Sequence, residues 1–139
     1  TITEVVHVPG RRLAVNPRTV AAVPGLFAAN ERVVCHARHG DHPFAVVLVG
    51  ALNVASISLA FTGPVRGTGN GQPARVFPGA DDSAAGTPLA AGDLLGQFNL
   101  GSTVVVALGR ALAARWLPDL MPGATVRVGR RLGTLGPAP

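Results

Sequence analysis

Apolar positions along the chain gather in short runs rather than in helical stripes. Val5 to Val8, Val33 to Ala37, Phe44 to Val49, Ala55 to Phe61, Val104 to Leu108 and Thr125 to Val128 are β-branched or apolar segments bounded by Gly, Pro, Asn or Asp. Runs of this kind predict strands, because β-branched side chains fit a pleated, partly buried surface. Arg110 to Leu117, stopping before Pro118, predicts a helix, and Pro17 to Val23 predicts a short helical turn. The stretch from about residue 62 to 92 is rich in Gly, Pro and Ser, with only Ala74 to Phe77 strand-like, and is expected to be a long surface loop. Loops of that length in a compact domain serve as lids, binding loops or plain insertions. The fold class that follows is mostly β (α+β): a single domain of short antiparallel strands with one or two short helices.

Length and composition narrow this further. A chain of 139 residues forms one domain that buries about two thirds of the surface its unfolded form exposes. No apolar run approaches the ~20 residues that span a bilayer, and the start lacks the basic and apolar regions of a secretion signal. Thr1-Ile2-Thr3-Glu4-Val5-Val6 opens as a strand already under way, as expected of a piece of a longer protein. Cys35 is the single cysteine, so no disulfide forms within the chain; a reducing compartment and a buried, inert thiol are expected. All twelve basic residues are arginine and the net charge is +5, which favours anionic partners. The arginines are scattered and aromatic residues are few, so an anionic lipid surface is the better expectation and nucleic acid is not predicted.

Several candidate sites compete. His36, His39 and His42, with Asp41 among them, are residue types that suit zinc. Gly40-Asp41, however, reads as a hairpin tip, where neighbouring side chains do not converge, and no metal site is predicted. His7, in the opening strand, reads as structural. Gly67-Thr68-Gly69-Asn70-Gly71 lacks the strand-to-helix setting of a phosphate cradle and reads as loop. Leu100-Gly101-Ser102-Thr103 is of another kind. Glycine leaves its carbonyl carbon uncovered, and the adjoining Ser102 hydroxyl is positioned to attack it, replacing the amide by an ester. Loss of the Ser102 Cα proton then expels the Gly101 carboxylate, and hydrolysis of the dehydroalanine leaves a pyruvoyl group on the downstream segment. Elsewhere, Pro122-Gly123-Ala124-Thr125-Val126-Arg127-Val128-Gly129-Arg130-Arg131-Leu132-Gly133 resembles the turn-strand-turn phrase of barrel-sandwich hybrid folds. The chain has no lysine, which argues against a biotinyl or lipoyl carrier.

Three phrases in order, Pro24 to Val34, Val49 to Ile57 and Gly96 to Val105, flanked by Leu13-Ala14-Val15-Asn16-Pro17 and Val128 to Gly133, resemble phosphatidylserine decarboxylase over nearly the whole chain. The resemblance implies a proenzyme that cuts itself between Gly101 and Ser102. Residues 1–101 would end its β chain and 102–139 would form its α chain, which begins with a covalent pyruvoyl cofactor made from Ser102. That group would hold the substrate amine and accept the electron pair left by carbon dioxide, turning phosphatidylserine into phosphatidylethanolamine. It further implies a protein peripheral on the cytoplasmic face of a bacterial membrane, in contact with anionic lipid; a homodimer is one assembly open to it, and the sequence does not fix the oligomeric state. Family members carry, upstream of the region matching Thr1, an aspartate and a histidine that drive self-cleavage, a further histidine used in decarboxylation, and an amphipathic segment. These 139 residues alone are therefore expected to stay uncut and inactive. Two alternatives stay open: a pyruvoyl decarboxylase for another serine lipid or an aromatic amino acid, and an inactive truncated homologue acting as a β-rich module. The family's Val-Gly-Ser-Ile phrase reads Val54-Ala55-Ser56-Ile57 here; the added methyl is expected to be tolerated in a strand, and to crowd the chain only where a close backbone contact is made.

Overall fold

The computed structural model describes residues 1–52, 56–67, 69–77, 86–99, 101 and 103–137. Strand β1 (Ile2–Val8) pairs antiparallel with β2 (Arg32–His39), which turns through Gly40-Asp41 into β3 (His42–Val49). β6 (Ala74–Phe77) adds beside β1, and β8 (Val104–Leu108) adds beside β3, giving the order β6-β1-β2-β3-β8. Side chains alternate across a strand, so Val5, Val33, Cys35, Ala37 and Leu48 share the inner face and are buried. Against that face packs a smaller sheet of β5 (Gly63–Pro64), β4 (Ile57–Leu59) and β7 (Gly96–Phe98). Ile57 and Leu59 are buried and Phe98 is half-buried at the junction. Phe61 meets Phe77 edge to face with ring centroids 5.3 Å apart. The expectation of a mostly β, antiparallel single domain holds, and among the described residues the sheets do not close into a barrel.

Helix α1 (Pro17–Ala22) forms where the sequence predicts a turn. The Asn16 side chain accepts the Thr19 N–H at 3.0 Å, and proline occupies the first turn, where no intrahelical donor is needed. A one-turn helix α2 (Leu26–Ala29) follows.

Three expectations are corrected. Arg110 to Leu117 is not helical: it contains β9 (Leu112–Trp116), paired with β10 (Gly133–Pro137) from Trp116 opposite Gly133 to Leu112 opposite Pro137. Ala111, Ala113 and Ala114 favour a helix locally, but backbone pairing with a strand from far along the chain prevails. Thr125 to Val128 forms no strand; it is irregular, and Val128 is fully exposed. The stretch from about 62 to 92 is not one free loop. β5 and β6 tie it into the two sheets, and Thr87 exchanges both backbone hydrogen bonds with Ile2 at 2.8 and 2.9 Å. Residues 78–85, inside that stretch, lie outside the described residues.

Candidate active site

Four segments distant in sequence meet at one end of the two sheets. Arg11 bridges the backbone around Asn30: its N–H donates to the Ala29 carbonyl at 2.8 Å, and its carbonyl accepts from the Glu31 N–H at 2.7 Å. The Glu31 carbonyl in turn accepts from the Gly50 N–H at 2.7 Å. Fully buried Asn30 locks the same junction, its amide bonding both the N–H and the carbonyl of Leu13 and the carbonyl of Gly50. Glu31 thus leaves a rigid backbone, and its carboxylate has little freedom.

Both Glu31 oxygens are engaged. Oε1 lies 2.8 Å from Nε2 of His7, and Oε2 accepts from Nε of Arg12 at 2.7 Å. Burial alone would push the Glu31 carboxyl up; the hydrogen bonds and positive charge of Arg12 and His7 outweigh it and hold the group below its ordinary value. An ionised carboxylate only accepts, so Nε2 of His7 carries the hydrogen between them. His7 is buried, and its Nδ1 has no hydrogen-bond partner among the described residues. Gly67 lies directly on the ring. A Cβ at that position would come within 2.5 Å of Cε1 and 2.6 Å of Nδ1, so any side chain there would displace the imidazole.

The three residues line a cavity of about 400 Å³, with Gly50, Ser56 and Arg66 also on its wall. One wall residue, Ser56, and the chain neighbour of another, Val49 beside Gly50, hydrogen-bond the residues that flank the Gly101-Ser102 bond. Asn99 donates its N–H to the Ser56 carbonyl at 3.0 Å, and its side-chain amide bonds the Ser56 hydroxyl. On the other flank the N–H of Val49, next to Gly50, donates to the Thr103 carbonyl at 2.9 Å. The bond therefore lies where the chain crosses from β7 in the small sheet to β8 in the large one. Gly101 has φ +74°, a left-handed conformation that suits glycine. Ser102 lies outside the described residues, as does Ala55, the substituted position in the Val54-Ala55-Ser56-Ile57 phrase.

The remaining candidates stand apart from this site. Cys35 is fully buried in the core, and burial pushes its thiol up to about 11. His39 and His42 face each other across the hairpin end, while His36 is exposed beside Ala45 farther along β2. Among the described residues no group of three metal-ligating side chains converges. No helix among them is long and apolar enough to cross a membrane. A second depression of about 680 Å³, walled by Phe44, Val106, Trp116 and Leu135, is mainly apolar.

Comparison with known proteins decides the affiliation. The family model of phosphatidylserine decarboxylase matches residues 1–134. The chain belongs to the phosphatidylserine decarboxylase family. It is 43% identical over 136 residues to the phosphatidylserine decarboxylase proenzyme of Ectopseudomonas mendocina, covering 96% of this chain and 46% of that protein. The proenzyme of Pseudomonas putida strain GB-1 is 44% identical over 132 residues, covering 95% and 45%. That of Methylococcus capsulatus is 37% identical over 134 residues, covering 96% and 45%. The chain thus spans about half the length of the curated relatives it matches. Sequence reasoning missed the polar cluster in which Glu31 and Arg12 surround His7. The place of His7 two residues after Val5 on a strand puts it on the buried face, and that period of two was the available signal; Glu31 and Arg12 gave none.

Proposed function

We propose that this chain is the carboxy-terminal catalytic portion of a pyruvoyl-dependent decarboxylase that converts phosphatidylserine to phosphatidylethanolamine after cutting itself between Gly101 and Ser102. The observation that carries the reading is the setting of the Gly101 carbonyl. It follows a left-handed glycine, between Asn99 and Thr103, whose backbones are hydrogen-bonded to different sheets. A bond between two anchored residues and beside a left-handed glycine is a setting in which attack by an adjoining hydroxyl is favoured by proximity. The fit to a pyruvoyl group is favourable: β8 remains paired with β3 after a cut at Gly101, so the downstream segment stays docked on the large sheet.

When formed, the group supplies an electrophilic carbonyl that holds an amine and takes up the electron pair left by departing carbon dioxide. This chain's own residues position the site. Ser56 and Val49 hold the two flanks, and Asn30 ties Gly50 to Leu13. Serine needs a proton acceptor to become a useful nucleophile. On the family pattern that acceptor comes from upstream of the region matching Thr1, so residues 1–139 alone are expected to stay uncut. The net charge of +5 suits a peripheral position on an anionic, cytoplasmic membrane surface. In this reading residues 1–101 close the β chain, 102–139 form the α chain, and two copies pair as a homodimer.

The test is Ser102→Ala in the full-length protein. Intact mass should show a single uncut chain, and release of carbon dioxide from phosphatidylserine vesicles should be lost. Decarboxylation that persists in this variant would overturn the reading.

A further inference from the structure

The cavity lined by His7, Arg12, Glu31, Ser56 and Arg66 carries two arginines against a single carboxylate. Its one carboxylate, Glu31, is saturated, with one oxygen on His7 and the other on Arg12. The Ser56 hydroxyl accepts from Asn99. Arg12 uses only Nε, which leaves both terminal amino groups of its guanidinium without a bonded partner among the described residues. Arg66, on the rim, makes no ion pair among them at all. Two arginines against one glutamate leave the wall with an excess positive charge even when His7 is neutral. What this arrangement lacks is an anion with several oxygens. A volume of about 400 Å³ lies in the usual range of small-molecule sites. Nine-tenths-buried His7 and the Glu31 carboxylate that it bonds give the wall a fixed polar backing behind Arg12.

We propose that this cavity is an oxyanion subsite in which Arg66 and the terminal amino groups of Arg12 take the oxygens of a phosphate or carboxylate. Glu31 and His7 act as positioning residues: Glu31 holds the Arg12 guanidinium with its free edge outward, and His7 fixes the Glu31 carboxylate. Arginine suits the task because its planar fork meets two oxygens at once. That the ligand is the head group of a serine lipid, which carries both a phosphodiester and a carboxylate, rests on the function proposed above; that the cavity binds an oxyanion does not.

The experiment uses the full-length protein and its Arg66→Gln and Arg66→Lys variants. Arg66 is exposed, so neither change endangers the fold, and normal cleavage into two chains serves as a check. Losing one charged hydrogen-bonding partner should raise KM for phosphatidylserine about tenfold with kcat altered far less, and Arg66→Lys should recover part of the loss. Glycerol 3-phosphate and L-serine, assayed as competitors, separate the two sources. Inhibition by the first that weakens in Arg66→Gln assigns the subsite to phosphate; the same behaviour with the second assigns it to the carboxylate. Calorimetric titration of both compounds into wild type and Arg66→Gln reads the subsite without turnover, so it survives failure of the decarboxylase reading. An unchanged KM in Arg66→Gln, together with no Arg66-dependent binding of either compound, would overturn the proposal.

Discussion

The segment before Gly101 and the segment after Ser102 are built differently. Among the described residues, eleven of the twelve buried apolar side chains lie upstream, and downstream only Leu112 is buried. Val104, Val105, Val106, Trp116, Met121, Val126, Val128, Leu132 and Leu135 all remain exposed. The downstream part is held mainly by backbone ladders, β8 on β3 and β10 on β9. The upstream part is held by side chains: the packed inner face, the Asn30 amide and the Glu31 carboxylate. The lesson is a division of labour. The larger part is a packed scaffold that carries the polar cavity, and the smaller part is a strand and hairpin delivered to its edge.

The contrast is sharpest where the core is deepest. Leu59→Ala removes a side chain from the junction of the two upstream sheets, where it is 2% exposed. It should cost about 2–5 kcal/mol in urea unfolding; a loss below ~1 kcal/mol would mean that the upstream part is not the scaffold described.

A smaller, pH-dependent effect belongs to Glu31. Its folded-state pKa lies below its ordinary value of 4.5. The carboxylate therefore adds stability at pH values above 4.5, and that contribution fades as the pH falls through the folded-state value. The stability gap between wild type and Glu31→Gln should accordingly narrow on going from pH 7 to about pH 3 in paired urea titrations. A gap that stayed constant would show that the carboxylate is not held by Arg12 and His7 in solution.

Least of all should come from Val128→Ser. Val128 is fully exposed, and the change should stay within about 0.5 kcal/mol. A larger loss in the full-length protein would show that the downstream apolar surface is covered there, and would turn the present contrast into a property of these 139 residues.

Legibility in the sequence follows that divide only in part, since downstream β8 was readable as Val104 to Leu108 while upstream β5 and β7 were not readable. The longer upstream strands were readable because their residues alternate against a core, as in Val33, Cys35 and Ala37, so hydropathy and structure carry one signal. Elsewhere downstream, β10 is Gly-Thr-Leu-Gly-Pro, a strand of two glycines and a proline with Thr134 its one β-branched residue, and it is paired with β9. With that partner invisible, alanine-rich β9 read as a helix and Thr125 to Val128 as a strand. The Gly101-Ser102 bond was legible as local chemistry. The polar cluster was not: His7 and Glu31 stand 24 residues apart and meet through the backbone bridge at Arg11, and no short motif encodes that meeting.

The antiparallel ladder between β3 and β8, from Phe44 opposite Leu108 to Leu48 opposite Val104, has a consequence for the lifetime of a cut molecule. While the chain is continuous, docking β8 is a unimolecular event at high effective concentration. Should Gly101 and Ser102 part, as proposed, the same ladder would become an interface between two polypeptides, and any complete unfolding would disperse them. Refolding would then depend on the concentration of both pieces. A molecule matured in this way has one opportunity to assemble from a single chain, and afterwards it persists by the slowness of its unfolding rather than by its capacity to fold again.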